Sequence, residues 1–222
     1  MEPSHDFYLP PEYAPQEAVW LSWPTNPALW PGRQRVIPAF FAQLAATISR
    51  YETVRINAVR HLHAEITRLM HCARAIEKNV ELFDIPTNDV WCRDHGPLFL
   101  KNKKTGEVAV SDWHFNAWGA KFFPYDLDDA VPARIAQALG LRCFSHKEVL
   151  EGGAIEVNDA GQLLTSESVL LNPNRHLPKT KKAIEKILKA GLGVEEILWL
   201  GDGLEGDDTD GHIDNLARFA TD

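Results

Sequence analysis

Residues 80–101 read VELFDIPTNDVWCRDHGPLFLK, and they place two apolar runs on either side of a polar segment. The runs at 80–85 and 97–101 have the length and the apolar content of strands. The polar segment, 87–97, therefore falls where one strand ends and the next begins. Loops at strand ends are where a rigid scaffold usually presents functional side chains. We predict a sheet protein with its functional groups in such loops.

The same order of elements recurs on both sides of this stretch. Further strands are predicted at 18–23, 53–59, 107–115, 142–146 and 196–201, with a new strand beginning in 212–220. Hairpins are predicted around 102–106 and 158–161. Helices are predicted at 36–50, 61–77, 128–139 and 179–190. The pattern indicates a repeated α/β unit with mixed sheets instead of a purely parallel Rossmann sheet. No long linker interrupts it, so we predict one domain over 1–222.

Composition narrows the classes of partner. The chain has 222 residues and a net charge of −8, which argues against nucleic acid because phosphate backbones require a basic surface. A negative surface instead attracts small cations. The start is not typical of a signal peptide, and no apolar window approaches the roughly 20 residues that span a bilayer. The three cysteines, Cys72, Cys92 and Cys143, are an odd number and lack the paired spacing of a disulfide framework. This favours a reducing cytoplasm.

The segment 206–219, GDDTDGHIDNLARF, places a histidine among acids. If His212 opens a strand, Asp214 lies on the same face, because side chains alternate with period two. A neighbouring carboxylate is expected to raise the pKa of the imidazole and favour its protonated form. The alternative is a surface turn with an incidental histidine.

The segment 87–97 offers a carboxylate next to an indole. Trp91 and Asp94 flank Arg93, and an exposed carboxylate beside a ring face suits a planar cation. The alternative is a structural ion pair between Asp94 and Arg93. Cys92 is interpreted as a small buried side chain in preference to a nucleophile, because period two directs it away from Trp91.

A third segment, LEGG, has Glu151 before two glycines, which suit a sharp turn or a close backbone approach. The alternative is a turn with a solvated acid. Ligand spacing excludes a calcium loop at 206–217, since Gly206 and Ala217 cannot supply its carboxylates. His61 and His63 cannot chelate together on a helix. We therefore predict no metal and no phosphate-binding loop.

Five segments in order resemble the agmatine deiminase family, the bacterial-type relatives of peptidyl-arginine deiminases within the guanidine-modifying superfamily. They are 14–24 (APQEAVWLSWP), 87–97 (TNDVWCRDHGP), 115–122 (FNAWGAKF), 151–153 (EGG) and 206–219 (GDDTDGHIDNLARF). The resemblance implies an α/β fold: a fivefold propeller, or pentein, of repeated mixed-sheet ββαβ modules. It also implies hydrolysis of a guanidinium to a ureido group and ammonia without a cofactor. For agmatine the product would be N-carbamoylputrescine, a step toward putrescine.

The resemblance also assigns roles residue by residue. Asp94 and Asp214 would hold the guanidinium, His212 would be the general acid and base, and Glu151 would complete the polar cage. Substrate-binding roles are implied for Trp91, Trp118, Asp207 and Asp208. Two carboxylates can bind the N–H groups of a guanidinium bidentately, and a supported imidazole can protonate the departing ammonia.

The nucleophile implied by the resemblance is a cysteine thiolate in a glycine-rich segment near the family's C-terminus. None of the three cysteines has that context, so we expect an incomplete chain that is inactive alone. The expected partner is a small cationic guanidinium compound, with a homo-oligomer left open. The alternatives are a deiminase of free or peptidyl arginine, and a non-catalytic guanidinium-binding module. A glycosidase is disfavoured, since that chemistry has no use for His212.

Overall fold

The structure, a computed structural model, describes residue 3 and residues 6–220. Its strands are β1 Phe7–Tyr8, β2 Ala18–Ser22, β3 Thr53–Ala58, β4 Val80–Asp84, β5 Leu98–Asn102, β6 Val108–His114, β7 Arg142–Val149, β8 Glu156–Val157, β9 Gln162–Ser166 and β10 Glu196–Leu200. Its helical segments are α1 Val36–Ile48, α2 His63–Cys72, α3 Cys92–His95, α4 Ala117–Ala120, α5 Asp126–Asp129, α6 Val131–Leu139, α7 Glu167–Leu170 and α8 Lys181–Leu192. The strands form three sheets, so the predicted mixed α/β class is confirmed.

The described residues divide into two compact units. The smaller unit contains Pro15–Cys92 and Pro124–Val131, and its sheet has the order β2-β3-β4 with both pairings parallel. Parallel neighbours need a crossover, which α1 and α2 supply. Val54 and Ile56 on the central strand are fully buried against apolar residues of both helices.

The larger unit contains the residues up to Ala14, Arg93–Phe123 and the residues from Pro132 onward. One of its sheets has the order β1-β5-β6-β7, with the predicted hairpin between β5 and β6 and a parallel pairing of β6 with β7. The other has the order β10-β9-β8, where α8 crosses over between the parallel strands β9 and β10. Buried apolar residues from both sheets and from α8, the first of them Phe7 and the last Val194, pack together in one core.

Two sequence predictions of local structure were wrong. The helix predicted at 61–77 ends at Cys72, because Arg74 adopts a left-handed conformation with φ 58° and closes the helix. The strand predicted to begin at 212 is instead a 3-10 turn, Ile213–Asn215. Side chains occupy the backbone groups that a strand would need: Thr209 Oγ1 accepts from the His212 amide, and Ser166 Oγ donates to the Gly211 carbonyl.

Within residue 3 and 6–220, no helix combines the length and the apolarity that crossing a bilayer requires. The predicted single domain over 1–222 includes residues 1, 2, 4, 5, 221 and 222, which lie outside the described part. It stays a prediction, since a division into compact units leaves open whether they are modules of one domain.

Candidate active site

Three side chains of the larger unit converge on the backbone of Gly153. They come from α3 (Asp94) and from the segment around the last 3-10 turn (His212 and Asp214), and we call these three residues the open cluster. Their ligand atoms lie within 4.8 Å of one another. A Cβ on Gly153 would meet His212 Nδ1 at 2.4 Å, Asp94 Oδ1 at 2.5 Å and Asp214 Oδ2 at 2.7 Å. Only glycine allows the backbone to approach the cluster so closely.

Asp94 is held by two hydrogen bonds in a buried position. Its carboxylate accepts from the Gly153 amide at 3.1 Å and from Trp118 Nε1 at 3.2 Å, and it lies 3.4 Å from His212 Nδ1. Burial, followed by the negative charges of Glu151 and Asp214, raises the pKa of Asp94 to about 7. These hydrogen bonds do not offset the burial, so the protein disfavours the ionised form of Asp94.

His212 is 2% exposed, which excludes an incidental surface histidine. The expectation that nearby carboxylates raise its pKa was wrong. Burial, followed by the positive charge of Arg175, lowers the pKa of His212 to about 3, although Asp207 opposes this shift. The imidazole is therefore neutral at physiological pH, and no residue in the described part of the chain hydrogen-bonds to its Nε2.

Asp214 meets His212 as predicted, but for a different reason. The two residues flank the start of the 3-10 turn and do not share a strand face. Asp214 Oδ2 lies 3.9 Å from Arg93 Nε. Burial raises the pKa of Asp214, and the charges of Arg93 and Arg218 oppose the rise.

Glu151 is fully buried, so the alternative of a solvated acid in a turn was wrong. Its Oε1 accepts from Arg175 Nε at 2.6 Å, while Oε2 has no hydrogen-bond partner. Arg175 also donates to Asp210 Oδ2 at 2.5 Å. Burial raises the pKa of Glu151, and the Arg175 guanidinium opposes this. We call Glu151, Arg175 and Asp210 the paired cluster, because two acids here share a cation of the protein.

Trp118 reaches Asp94 from an unusual backbone. Ala117, Trp118, Gly119 and Ala120 all have positive φ, between 49° and 88°. Left-handed conformations cost L-residues about 1–2 kcal/mol each, and such strain persists only where the surroundings impose it. Here the Asn116 side chain accepts from the Gly119 amide at 2.8 Å and closes the turn.

Two of the other predicted substrate-binding residues, Asp207 and Asp208, lie in the loop that leads into His212. The Asp207 carboxylate accepts from the Thr209 hydroxyl at 2.6 Å and from the Gly211 amide at 3.2 Å. Burial works to raise the pKa of Asp207, but the hydrogen bonds from Thr209 outweigh it and lower that pKa. Asp208 is exposed. Trp91, 51% exposed, belongs to the smaller unit.

Sequence reasoning missed Arg175 and Asp210. Arginine is almost never fully buried unless it is paired, so nothing in its own sequence context marks Arg175 as internal. The excess of acids in 207–210 could have indicated a buried arginine, because clustered carboxylates need a cation nearby. The same reasoning shows what the open cluster could hold: two carboxylates and a neutral imidazole suit a planar cation or a metal ion.

The cysteines Cys72, Cys92 and Cys143 are not joined in disulfides with one another, and none lies in the sequence context of a nucleophile. Cys72 is exposed at the end of α2, and Cys92 Sγ lies 2.9 Å from Ser22 Oγ. Burial, followed by the charge of Asp112, raises the pKa of Cys143. A nucleophilic thiol needs the opposite shift.

The sequence pattern of the Porphyromonas-type peptidyl-arginine deiminase family matches residues 8–222. A curated relative from Shewanella sp. (strain MR-4), provisionally named agmatine deiminase, is 38% identical over 99% of this chain and 59% of its own length. The chain therefore spans about three-fifths of such relatives.

Two solved structures carry the same resemblance. The agmatine deiminase of Enterococcus faecalis, described as catalysing its reaction, has a TM-score of 0.86 at 35% identity, with 97% of this chain and 59% of that chain covered. A cysteine-to-serine agmatine deiminase variant from C. jejuni with substrate bound has a TM-score of 0.81 at 34% identity, with 97% and 62% covered.

Proposed function

Because the chain belongs to the Porphyromonas-type peptidyl-arginine deiminase family, we propose that its activity is hydrolysis of the guanidinium of agmatine. The products are N-carbamoylputrescine and ammonia. The observation that carries this proposal is the open cluster: the buried carboxylate of Asp94, the partly buried carboxylate of Asp214 and the buried imidazole of His212 converge on Gly153, and the charges that act on Asp94 are the negative ones of Glu151 and Asp214. The names of the Shewanella relative and of the E. faecalis structure support the choice of agmatine.

The first requirement of this chemistry is to fix a flat cation. A guanidinium presents N–H groups in one plane, and carboxylates can accept them bidentately. Asp94 and Asp214 are placed to do so, and the bound cation lowers the pKa of Asp94 by attraction. The Trp118 ring, whose Nε1 donates to Asp94, supplies a flat surface for cation–π contact.

The second requirement is proton transfer. A guanidinium is a poor electrophile, and amide ion cannot leave, so the departing nitrogen must gain a proton. A cysteine thiol would supply the nucleophile, as the family resemblance implies. Its proton passes to neutral His212 as sulfur bonds to the guanidinium carbon, and then to the departing nitrogen, which leaves as ammonia. In the second half, water gives one proton to His212 as its oxygen bonds to the carbon. The C–S bond then breaks, His212 returns that proton to the sulfur, and the remaining proton of the water leaves to solvent, where ammonia takes it up as ammonium, as the ureido C=O forms. Ionised Asp94, 3.4 Å from Nδ1, stabilises the transient imidazolium.

The third requirement is recognition of the distal ammonium of agmatine. Asp207 keeps a charged carboxylate, and Asp208 is exposed, so both offer negative charge to that group. Free arginine brings a carboxylate instead, and the acids around residues 207–210 would repel it.

The proposed architecture is a fivefold propeller in which each sheet is one module. The chain holds three sheets and spans 59% of the Shewanella relative, a share that matches three modules of five. Both compact units would then be parts of one domain. The proposed location is the cytoplasm, which three cysteines without disulfides between them support.

The test uses two preparations: this chain, and the protein produced from the complete reading frame that encodes it. Calorimetry measures agmatine binding by each, and an ammonia assay compares agmatine, arginine and a peptidyl-arginine. We expect binding by both, and ammonia from agmatine by the complete product. Ammonia from arginine or peptidyl-arginine alone would reassign the substrate. Binding without ammonia would make the protein a guanidinium-binding module, and enzyme-like turnover by this chain would refute the expected need for a further cysteine.

A further inference from the structure

Residues 172–175, NPNR, form a short structure that turns an arginine inward. Asn172 Oδ1 accepts from the Asn174 amide at 3.2 Å and caps the 3-10 helix Pro173–Arg175. Proline suits this first helical position because its missing N–H needs no partner. His176 then ends the helix in a left-handed conformation. The outcome is that Arg175 is 0% exposed.

All three side-chain nitrogens of Arg175 donate hydrogen bonds. Nε donates to Glu151 Oε1 at 2.6 Å, and one terminal nitrogen donates to Asp210 Oδ2 at 2.5 Å. That nitrogen also donates to Asn174 Oδ1 at 2.7 Å, and the other donates to the Thr209 carbonyl at 2.8 Å. One guanidinium thus ties the segment that carries Glu151 to the segment that leads into His212.

Asn174 extends these bonds to the left-handed turn of Trp118. Its carbonyl accepts from Asn116 Nδ2 at 2.9 Å, and its own amide group donates to Asp210 Oδ2 at 2.9 Å. A Cβ on Gly119 would lie 2.3 Å from Asn174 Nδ2, so the turn packs directly on this side chain. The pair Asn174–Arg175 therefore contacts all three segments that supply Trp118, Glu151 and His212.

We propose that Arg175 is a positioning residue of the deiminase site, an inference that rests on the proposed function. It holds the Glu151 carboxylate by one oxygen and leaves Oε2, to which none of the described residues hydrogen-bonds, as the oxygen available to a bound guanidinium. It also fixes the loop 207–212 through Thr209 and Asp210. Rigid support of this kind sets the precision of a catalytic geometry.

Arg175 has an electrostatic consequence as well. Its charge is the second cause, after burial, of the low pKa of His212. The charged groups that act on His212 or contact it are Arg175, Arg93, Asp94, Asp207, Asp210 and Asp214, with Gly153 packed on Nδ1. Loss of the Arg175 charge removes one of two cations from this set, so the pKa of His212 should rise.

The test is Arg175→Lys in the product of the complete reading frame. Lysine keeps the charge, but its single nitrogen cannot reproduce the planar fork that joins Glu151, Asp210 and Thr209. We expect kcat for agmatine to fall by about 10- to 100-fold, as for a small misplacement of a catalytic group, with a smaller change in KM. The matched control is Arg55→Lys in the smaller unit, where Arg55 bridges Glu17 and Glu81; it should leave kcat unchanged.

A second readout does not need turnover. NMR titration of His212 in agmatine-free protein should show a higher midpoint in Arg175→Gln than in the wild type. If either Arg175 variant does not fold, Asp210→Asn takes its place, since it keeps the Glu151 contact and removes the charge of the second anchor. It should lower kcat and, because the Asp210 charge raises the pKa of His212, move the same titration to lower pH.

The outcomes separate the two proposals. If the wild-type protein releases no ammonia from agmatine, the proposed function is wrong. The His212 titration still tests the role of Arg175 in that case. Wild-type kcat in Arg175→Lys, or an unchanged His212 midpoint in a folded Arg175→Gln or Asp210→Asn protein, overturns the positioning role.

Discussion

The paired cluster and the open cluster contain the same kinds of acid but differ in the cation beside them. In the paired cluster, the Arg175 guanidinium lies between two carboxylates, 2.6 Å from Glu151 and 2.5 Å from Asp210. In the open cluster, Arg93 Nε lies 3.9 Å from Asp214, whereas the charges that act on Asp94 are the negative ones of Glu151 and Asp214. The fold thus supplies a close cation at the paired cluster and leaves Asp94 to be neutralised by a ligand.

This difference separates what the acids do for stability from what they do for binding. A buried ion pair contributes little relative to an apolar core, but removing one partner is costly because the other charge stays buried. An uncompensated buried acid opposes folding and favours a cation that can reach it. The paired cluster is also an internal example of how two carboxylates hold a guanidinium.

The largest expected effect is loss of stability in Arg175→Met. This change leaves Glu151 buried without its cation, so the free energy of unfolding should fall by about 3–5 kcal/mol. Urea denaturation at neutral pH measures it. Arg55→Met is the matched control: Glu17 and Glu81 are exposed enough to keep their water, and the loss should be about 1 kcal/mol or less. Equal losses in both variants would contradict a special role for the buried pair.

The next effect has the opposite sign on stability. Asp94→Asn removes a buried negative charge that the neighbouring residues do not neutralise, so the free energy of unfolding at pH 7 should rise. A folded-state pKa above the unfolded value means that the wild type loses stability as pH rises from about 4 to 7, and the variant should lack this loss. Agmatine affinity should fall by about 1.5–3 kcal/mol, the value of a hydrogen bond to a charged group. Calorimetry and urea denaturation report the two changes.

For Asp94→Asn, destabilisation comparable to that of Arg175→Met would abolish the distinction between the clusters. So would agmatine binding at wild-type affinity, because Asp94 would then contribute no charge to the ligand.

A third effect tests how closely the open cluster surrounds Gly153. The methyl group in Gly153→Ala would lie within 2.7 Å of three side-chain atoms, and overpacking of this kind costs about 1–3 kcal/mol. Agmatine affinity should fall as well, since the three side chains must separate. Gly201→Ala is the control, because its methyl group would meet nothing within 4 Å. A neutral Gly153→Ala would mean that the cluster is looser than the structure shows.

Much of this arrangement was readable in the sequence. Apolar runs and turn residues predicted the hairpin of β5 and β6, because alternation and short polar loops are local properties. The motif residues Asp94, Glu151, His212 and Asp214 were named from the resemblance, and the structure places Asp94, His212 and Asp214 around one backbone position.

The remaining features of the site depend on tertiary contacts that the sequence does not show. The turn at 117–120 places alanine and tryptophan at positive φ, which local propensity disfavours and Asn116 imposes. The pKa of His212 was predicted with the wrong sign because the neighbouring acids are visible in the sequence, whereas burial and Arg175 are not. Tertiary context decided both.

The last prediction is a pH dependence of binding, and it follows from the raised pKa of Asp94. Agmatine keeps both charges between pH 5 and 8, since ammonium and guanidinium groups titrate near or above about 10. Below its pKa of about 7, Asp94 must release a proton before it can accept the cation. The dissociation constant should therefore rise by up to about tenfold per pH unit below 7 and level off above it.

Calorimetry in buffers of different ionisation enthalpy should detect release of close to one proton on binding near pH 6, and Asp94→Asn should abolish this release. His212 cannot produce the same signal, because its pKa of about 3 keeps it neutral throughout the range. A dissociation constant that stays the same between pH 5 and 8 would mean that Asp94 is already ionised before agmatine binds. The open cluster would then resemble the paired one, and the raised pKa could not be the reason for its affinity for a cation.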